Sequence, residues 1–479
     1  MVDYRETLLT EKNKKSREIS FYVEQDVISV PREGLGINIT LDAQAKGCYP
    51  SDEKGWQDLL KQLDELAPSW LCITLPAQDV LTAEGKLRKD APELAQFDRL
   101  CKYCTHKELD VVLMFPKSVP EWMRFRNAGG AQPAPCNAED YARVIADAMC
   151  YFVKECGYSC LKYSTIFGEP FNEDGDEFSF ATPEDIDPYI YYAQVHEATR
   201  KALDAKGLSS VGLLGPNSAD VYAHLETFRR AKERGLDITR DMSAIDLHAY
   251  RMRLDYMPPS RHIFTCGLSE YLEQYLGKAI ELAKENGKPL YITELGCMYY
   301  GKSRYGDNRG PSRHECFIAE AELIVRALNM GIDGILKWVL LFDTTELRGH
   351  YHLLERIDGS YRKKDGYYGF ALLYKAIPKG SRMLRISHGG NASGIYASAS
   401  ESSDGNFNII LVNDHPTDIA DVEIKITQDM AGRNFGQWNV DYWDKGVLKN
   451  TINPGNGILQ VSLPPLSMNV ITSATFDLQ

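Results

Sequence analysis

The 479-residue sequence is poor in several features that mark particular classes of protein. It contains no apolar run long enough to span a membrane, and its first residues lack the basic start and apolar core of a signal peptide. Its longest basic run is the short segment 12–15, and its formal net charge is -13. Such a surface is not expected to bind nucleic acid or an anionic membrane. The sequence therefore predicts an acidic protein of the cytoplasm.

The cysteines give no sign of disulfide bonds or of a metal centre. There are 11 of them, an odd number, and most lie in apolar segments, as Cys72 and Cys316 do. This pattern is typical of reduced, buried thiols. Cys101 and Cys104, with His106 close by, could begin a zinc site, but no second pair of matching spacing follows. We expect thiols that pack a helix, and neither a metal nor a cofactor.

From residue 34 onward, short apolar segments alternate with amphipathic helical patterns. Several of the helical patterns end on glycine, as expected of a helix C-terminus. Eight βα units over about 340 residues predict a (β/α)8 TIM barrel, which is an α/β fold. The predicted strands are 34–40, 69–76, 109–116, 160–169, 209–217, 244–250, 289–296 and 331–342.

After the eighth unit the hydrophobic period changes to two. Residues 378–381 form a predicted linker, and the segments beyond it indicate a smaller antiparallel β-sandwich, with strands at 394–400, 406–413, 421–426, 438–443 and 459–472. One or two alternating segments before residue 31 have no place in a closed barrel, so we expect them to join this sandwich. The predicted domains are 1–30 (strands joining the sandwich), 31–378 (the barrel) and 379–479 (the C-terminal β-sandwich).

Polar residues at strand ends are candidate site residues, because the active sites of TIM barrels lie at the C-terminal ends of the strands. The fourth strand delivers Glu169 directly before Pro170, and the seventh carries Glu294 before Gly296. Buried parallel strands otherwise end in valine, isoleucine or leucine. Further candidates at the strand ends are Asn38, Lys117, Glu121, Trp122, Asn172, Asn217, His248, Tyr250, Trp338 and Asp343.

Two isolated acids on two barrel strands are what hydrolysis of a glycosidic bond requires. One acid protonates the leaving oxygen, and one carboxylate meets the sugar carbon. Two close negative charges raise one of the two pKa values, and the aromatic neighbours Phe167 and Phe171 favour a protonated Glu169. Either acid alone could instead end its strand in an ordinary salt bridge.

Four motifs follow one another in a characteristic order. They are Gly168-Glu169-Pro170 after the fourth strand, Thr293-Glu294-Leu295-Gly296 at the seventh, Trp338 on the eighth, and the terminal segment from Pro464 to Thr472. Together they resemble the retaining glycoside hydrolases of clan A, in the style of families 30 and 39, over nearly the whole chain. The resemblance implies that Glu169 is the general acid/base and Glu294 the nucleophile, with carboxyl groups about 5 to 5.5 Å apart.

The same resemblance implies roles for further residues. His248 and Tyr250 alternate on the sixth strand and so face the same way; in the family, an aromatic residue or histidine there binds the nucleophile. Trp338 would stack on the sugar, and Trp122 lies in a segment that matches a loop lining the family's cleft. Asn38 is a further substrate-binding candidate. Some of these side chains could instead only pack in the barrel or at its rim.

Two positions depart from the pattern of the clan. An asparagine usually precedes the acid/base and binds the 2-hydroxyl of the sugar, whereas this chain has Gly168. The second strand, which ends at Pro76, lacks the arginine that is common there. We expect Asn217 or Asn172 to replace the missing amide.

The sequence thus predicts a retaining β-glycosidase that hydrolyses short glycosides or oligosaccharides by a two-glutamate double displacement. Its partner would be a small carbohydrate, and it could form a homo-oligomer. The alternative is a non-hydrolytic carbohydrate-binding barrel that kept the carboxylates but lost turnover, for which Gly168 is the reason. A metal-dependent barrel enzyme is a third option, but the strand ends show no His and Asp cluster of recognisable ligand spacing.

Overall fold

The structure is a computed structural model that describes residues 16–42, 45, 47–115, 118–129, 132–171, 180–218, 221–252, 268–298, 313–342, 351–389 and 392–477. Its first strand, β1 (Ser16–Ser29), belongs to a nine-stranded, mostly antiparallel sheet, and the next eight strands close into a parallel barrel. The predicted fold class, a TIM barrel with a smaller β-sandwich-like domain, is confirmed.

The barrel strands pair in parallel in chain order, and the last pairs with the first. Their buried residues are mostly isoleucine, leucine and valine, as expected of strands that are covered on both faces. The strands are β2 (Gly34–Thr40), β3 (Trp70–Thr74), β4 (Asp110–Met114), β5 (Leu161–Thr165), β6 (Gly212–Ser218), β7 (Ala244–Met252), β8 (Leu290–Met298) and β9 (Gly334–Lys337).

Helices cover the outside of the barrel with their apolar faces. The helix Glu53–Leu66 shows how the sequence sets the ends: the Asp52 side chain accepts a hydrogen bond from the Gly55 N–H at 2.7 Å, and the left-handed Ala67 ends the helix. The other helical segments are Ala77–Val80, Pro92–His106, Glu121–Met123, Ala138–Cys150, Tyr151–Glu155, Pro188–Ala205, Val221–Glu233, Ile238–Asp241, Leu268–Glu270, Tyr271–Leu276, Gly277–Glu285, Arg313–Met330, Asp365–Ala376 and Gln428–Ala431. None of the described helices is both long enough and apolar enough to cross a membrane.

The cysteines behave as the sequence indicated. Cys101 and Cys104 lie on the buried face of the helix Pro92–His106, and the ten cysteines in the described part of the chain form no disulfide bond with one another. Burial raises the pKa of the Cys101 and Cys104 thiols, which therefore stay protonated near neutral pH.

The second sheet joins the start of the chain to its end. A short hairpin, β10 (Leu354–Ile357) and β11 (Ser360–Lys363), precedes it. β1 pairs antiparallel with β12 and parallel with β15, inside the strand order β17-β16-β19-β14-β13-β12-β1-β15-β18. These strands are β12 (Arg382–Gly389), β13 (Ile395–Glu401), β14 (Phe407–Asn413), β15 (Ile419–Lys425), β16 (Phe435–Val440), β17 (Lys445–Ile452), β18 (Ile458–Leu463) and β19 (Ser467–Thr472).

Several predicted strand limits in this sheet were wrong. The segment 459–472 is two strands, because the Pro464-Pro465 pair has no N–H groups to continue a ladder. By contrast, the N-terminal segments, predicted as one or two strands, do form one strand, β1. The prediction also missed β12 and β17, whose many exposed residues hide the alternation of a half-buried strand.

The barrel and the sheet pack on each other and share part of one hydrophobic core. His314, at the start of a barrel helix, donates from Nε2 to the carbonyl of Leu466 at 2.6 Å. Asn329, at the other end of that helix, donates to the carbonyl of Ala397 at 2.8 Å. The residue ranges given above for the two domains stay a prediction.

Candidate active site

Glu169 lies beyond the C-terminal end of β5, and Glu294 lies in the middle of β8. Glu169 follows β5 in a left-handed conformation (φ 52°). The chain around it is fixed by Phe167 and Phe171, which are fully buried; Phe171 stacks on Tyr189 at 4.5 Å between ring centroids. A buried aromatic on each side therefore determines where this carboxylate emerges.

The position of Glu294 depends on a bulge in β8. Leu247 pairs with Ile292, but the next residue, His248, pairs with Glu294, so Thr293 is an extra residue in β8. A bulge of this kind re-aims the side chains that follow it. It places Glu294 level with His248 on the neighbouring strand.

His248 lies between the two carboxylates. Its Nδ1 is 2.9 Å from Oε1 of Glu169 and 3.3 Å from Oε2 of Glu294. Tyr250 donates its hydroxyl hydrogen to Oε2 of Glu294. One oxygen of each glutamate and this Nδ1 all lie within 4.8 Å of one another. The structure thus brings together four of the residues predicted from the sequence.

Charge explains how the two carboxylates can lie so close. Burial lowers the pKa of His248, but the charge of Glu294, the hydrogen bond and charge of Glu169, and the charge of Asp246 raise it to about 9. His248 is therefore an imidazolium at neutral pH and offsets part of their repulsion. Burial, followed by the charge of Glu294, raises the pKa of Tyr250, which stays a neutral donor.

The raised pKa of His248 predicts a loss of stability in alkali. The folded protein holds this proton up to about pH 9, whereas an unfolded histidine releases it near 6.5. The contribution, about 3 kcal/mol, is complete below pH 6.5 and is lost as the pH rises through 9. We expect the difference in free energy of unfolding between the wild type and His248→Gln to shrink over this range in urea titrations.

The wild type and the variant share all the other histidines, so the contributions of those histidines cancel in the difference. Among them, burial lowers the pKa of His196 and of His224 to about 3. A difference that stays constant between pH 6.5 and 9 would show that His248 is neutral between the carboxylates.

Comparison with solved structures identifies the fold. A family 30 subfamily 8 xylanase from Clostridium acetobutylicum superposes with a TM-score of 0.65 at 15% identity, over 95% of this chain and 99% of the other. An α-L-arabinofuranosidase from Thermotoga maritima, in complex with arabinose, gives 0.65 at 13% identity over 95% and 99%. The endo-β1,6-glucanase BT3312 gives 0.63 at 15% identity over 95% and 94%. This is the fold of clan A glycoside hydrolases. The resemblance in fold seen in the sequence is confirmed, although no family model and no curated protein sequence matches the chain.

The carboxylates and the histidine of this glycoside-hydrolase fold also form a set of potential metal donors. Two carboxylate oxygens and one imidazole nitrogen within 4.8 Å could share a cation. However, an imidazolium offers no lone pair at Nδ1. The contacts at Nδ1 therefore favour a hydrogen-bonded triad, and the absence of a metal stays a prediction.

An aromatic cluster borders Glu294. Trp338 is almost fully buried, and its backbone N–H donates to the carbonyl of Leu295 at 2.8 Å. Tyr250 contacts Tyr351 edge-on at 5.8 Å between ring centroids. A Cβ at Gly296 would lie 3.0 Å from the Tyr250 ring and 3.1 Å from the Tyr351 ring, so a larger residue would require both rings to shift by a few tenths of an ångström. Stacking of Trp338 on a sugar stays a prediction.

The two predicted asparagines in the described part of the chain are fully buried. Asn38 donates from Nδ2 to the carbonyl of Thr293 at 2.9 Å and of Lys337 at 3.3 Å. Asn217 donates from Nδ2 to Oδ2 of Asp246 at 2.7 Å and to Oγ1 of Thr293 at 3.2 Å. The structure places both amides within the end of the barrel, around the residue that precedes Glu294.

The remaining candidates lie farther along the strand ends. Trp122 is in the short helix Glu121–Met123 after β4 and is 40% exposed, so it has surface available for a ligand. Lys117, Asn172 and Asp343 lie outside the described residues.

Sequence reasoning missed a buried ion pair behind the site. Lys337 and Glu320 are 2.9 Å apart, with side chains only 1% and 4% exposed. Glu320 accepts the N–H of Cys297 at 2.7 Å, and Lys337 donates to the carbonyl of Trp338. The pair therefore ties the ends of β8 and β9 to the helix Arg313–Met330. Lys337 could have indicated this pair in the sequence, because a lysine within a barrel strand is buried and a buried charge requires a partner.

Proposed function

We propose that this protein is a retaining β-glycosidase. The observation that carries the proposal is the pair of carboxylates, Glu169 after β5 and Glu294 on β8, with an oxygen of each within 4.8 Å of the other. A separation of about 5 Å leaves no room for a water molecule between carboxylate and sugar, which is the arrangement of retaining enzymes. The difference in exposure supports the division of roles, since the Glu169 side chain is 33% exposed and that of Glu294 only 7%.

In the first step, the carboxylate of Glu294 attacks the anomeric carbon while protonated Glu169 gives its proton to the leaving oxygen. The bond to the leaving group breaks as the ester to Glu294 forms. Tyr250 and His248 both bind Oε2 of Glu294 and so fix its carboxylate. A fixed nucleophile loses less entropy on reaching the transition state.

In the second step, Glu169 takes a proton from water, whose oxygen attacks the anomeric carbon and releases Glu294. The ester removes the negative charge of Glu294, which is the largest of the influences that raise the pKa of His248. His248 consequently holds its proton less tightly in the intermediate than in the free enzyme.

The substrate that we propose is a short β-glycoside or oligosaccharide. The fold relatives are named for action on different sugars, as xylanase, endo-β1,6-glucanase and α-L-arabinofuranosidase. These names have in common the cleavage of a glycosidic bond, whereas the sugars differ. The proposal therefore specifies the type of bond that is cleaved and not the sugar. A cytoplasmic location and a homo-oligomer stay predictions.

Retention of configuration tests this function. Proton NMR of a fresh reaction with an aryl β-glycoside should show the β anomer of the released sugar first, with the α anomer appearing only by mutarotation. A panel of aryl β-glycosides supplies a substrate that the enzyme cleaves. Early appearance of the α anomer would mean that water, and not Glu294, attacks the sugar.

A second candidate function is carbohydrate binding without turnover. It is favoured by Gly168, which provides no side-chain amide, and by the imidazolium of His248, whose N–H donates to the carboxylate that would have to carry the catalytic proton. In this case calorimetry would detect binding of an oligosaccharide, while the same panel of aryl β-glycosides would release no product. Release that depends on Glu294 would exclude this candidate.

A further inference from the structure

Thr293, the bulged residue before Glu294, is held by three buried side chains, which we call the Thr293 clamp: Asn38, Asn217 and Asp246. Asn38 donates to the backbone carbonyl of Thr293 at 2.9 Å. The Oγ1 of Thr293 accepts a hydrogen bond from Asn217 at 3.2 Å and donates one to Asp246 at 2.9 Å. Both the backbone and the side chain of this one residue are therefore bound by groups from other strands.

Asp246 forms the base of the clamp. It is fully buried, and it accepts hydrogen bonds from the backbone N–H of Asn217 at 2.9 Å, from the side chain of Asn217 and from Thr293. Burial raises the pKa of Asp246, whereas the bonds from Asn217 and Thr293 and the charge of His248 lower it. A buried carboxylate without such donors would be costly, so these contacts are strongly coupled.

Asn217 is itself a bulged residue. Pro216 pairs with Asp246, and Ser218 pairs with Leu247, so Asn217 is extra in β6 and has a left-handed conformation (φ 57°). Two bulges on the strands flanking β7 thus face each other across Asp246. A bulge leaves its extra residue out of the strand ladder, so other hydrogen bonds must hold that residue in place. The hydrogen bonds among Asn217, Asp246 and Thr293 hold both bulges together.

We propose that the Thr293 clamp positions Glu294 for the reaction by fixing the bulge in β8. If the bulge were lost, the register of β8 would slip by one residue, which turns every following side chain to the opposite face. Glu294 would then leave His248 and Tyr250. The members of the clamp act through Thr293 and are positioning residues; this role rests on the proposed function.

The proposal gives Asn217 a different task from holding the sugar. An amide group has two N–H bonds, and those of Asn217 go to Asp246 and Thr293. A positioning residue should affect all substrates alike. Its loss should therefore slow a 2-deoxy glycoside by the same factor as the parent glycoside, whereas a contact with the 2-hydroxyl would matter only for the parent.

The most selective test compares Thr293→Val with Thr293→Ser. Valine keeps the shape of threonine and removes the hydroxyl, whereas serine keeps the hydroxyl. Because the bond from Asn38 to the Thr293 carbonyl remains, we expect Thr293→Val to displace Glu294 by about 1 Å without removing the bulge. It should lower kcat about 100-fold, with KM changed by less than about twofold. Serine should recover most of the loss. Thr40→Val is the matched control, because Thr40 is a buried barrel threonine whose hydroxyl has no hydrogen-bond partner among the described residues.

Asn217→Gly provides a second variant, in case the valine protein does not fold. Glycine tolerates the left-handed conformation and keeps the backbone bond to Asp246, so only the amide contacts are lost. Equal losses of kcat on the parent and 2-deoxy glycosides support the clamp. A loss confined to the parent glycoside, or a kcat equal to that of the wild type in both variants, would overturn it.

Crystal structures of the variants separate this proposal from the proposed function. The contact of 3.3 Å between Nδ1 of His248 and Oε2 of Glu294 should persist in Thr293→Ser and be broken in Thr293→Val. This readout needs no substrate. An unchanged contact in Thr293→Val would overturn the clamp, whereas a wild type that cleaves no glycoside would overturn the proposed function and leave the structural result standing.

Discussion

Glu294→Gln is expected to remove nearly all turnover, by roughly 10⁴- to 10⁶-fold in kcat, the range found for groups that act as one covalent catalytic unit. An amide cannot form the glycosyl ester, so the loss should be the same for good and poor leaving groups. The variant should still fold, because glutamine matches the carboxylate in shape and can bind Tyr250. Initial rates on activated aryl β-glycosides provide the measurement.

The control for Glu294→Gln is Glu226→Gln. Glu226 is similarly buried, but its carboxylate pairs with Arg229 and Arg230 on the outer helix Val221–Glu233. Its loss should lower the melting temperature and leave kcat unchanged. A mechanism-based fluoroglycoside should also label the wild type on Glu294. If peptide mapping found the label on another carboxylate, the assignment of Glu294 as the nucleophile would be wrong.

Glu169→Ala should give a loss that depends on the leaving group. Removal of a general acid costs about 10²- to 10⁴-fold, and the full loss should appear for alkyl glycosides, which need protonation. Dinitrophenolate leaves a glycoside without being protonated. With dinitrophenyl glycosides the ester between the sugar and Glu294 should therefore still form and then accumulate. Sodium azide needs no general base, and it should restore turnover with a glycosyl azide of retained configuration as the product.

Glu233→Ala is the matched control for this variant, since Glu233 is an exposed acid on the outer helix Val221–Glu233. It should neither accumulate the ester nor respond to azide. If Glu169→Ala lost the same factor on every leaving group, Glu169 would have no role as an acid, and another group would have to protonate the leaving oxygen.

The sequence predicted the barrel well because each strand is a short apolar segment between helical patterns. All eight predicted segments overlap observed strands, and 34–40 coincides with β2. Agreement is poorer in the second sheet. There, strands such as β17 are largely exposed, and pattern alone cannot separate them from loops.

In the site, the residues that project from strand ends could be predicted, and those that hold them could not. His248 and Tyr250 were found by their alternation on β7, and Asp246 continues the same alternation. The bulges at Asn217 and Thr293 had no counterpart in the sequence pattern, because one extra residue in a strand does not change its composition. The assignment of Asn38 and Asn217 to the sugar rested on their places at strand ends, and it stays a prediction.

The place of β1 in the second sheet governs how the protein can be assembled on the ribosome. β1 is synthesised before the eight barrel strands, yet its partners β12 and β15 are synthesised after them. It is also the strand that joins β15 and β18 to the other six. The early strand must therefore stay unpaired while the whole barrel emerges, and an unpaired apolar strand is prone to associate with other chains. Expression of the C-terminal residues alone would produce a sheet divided where β1 is missing.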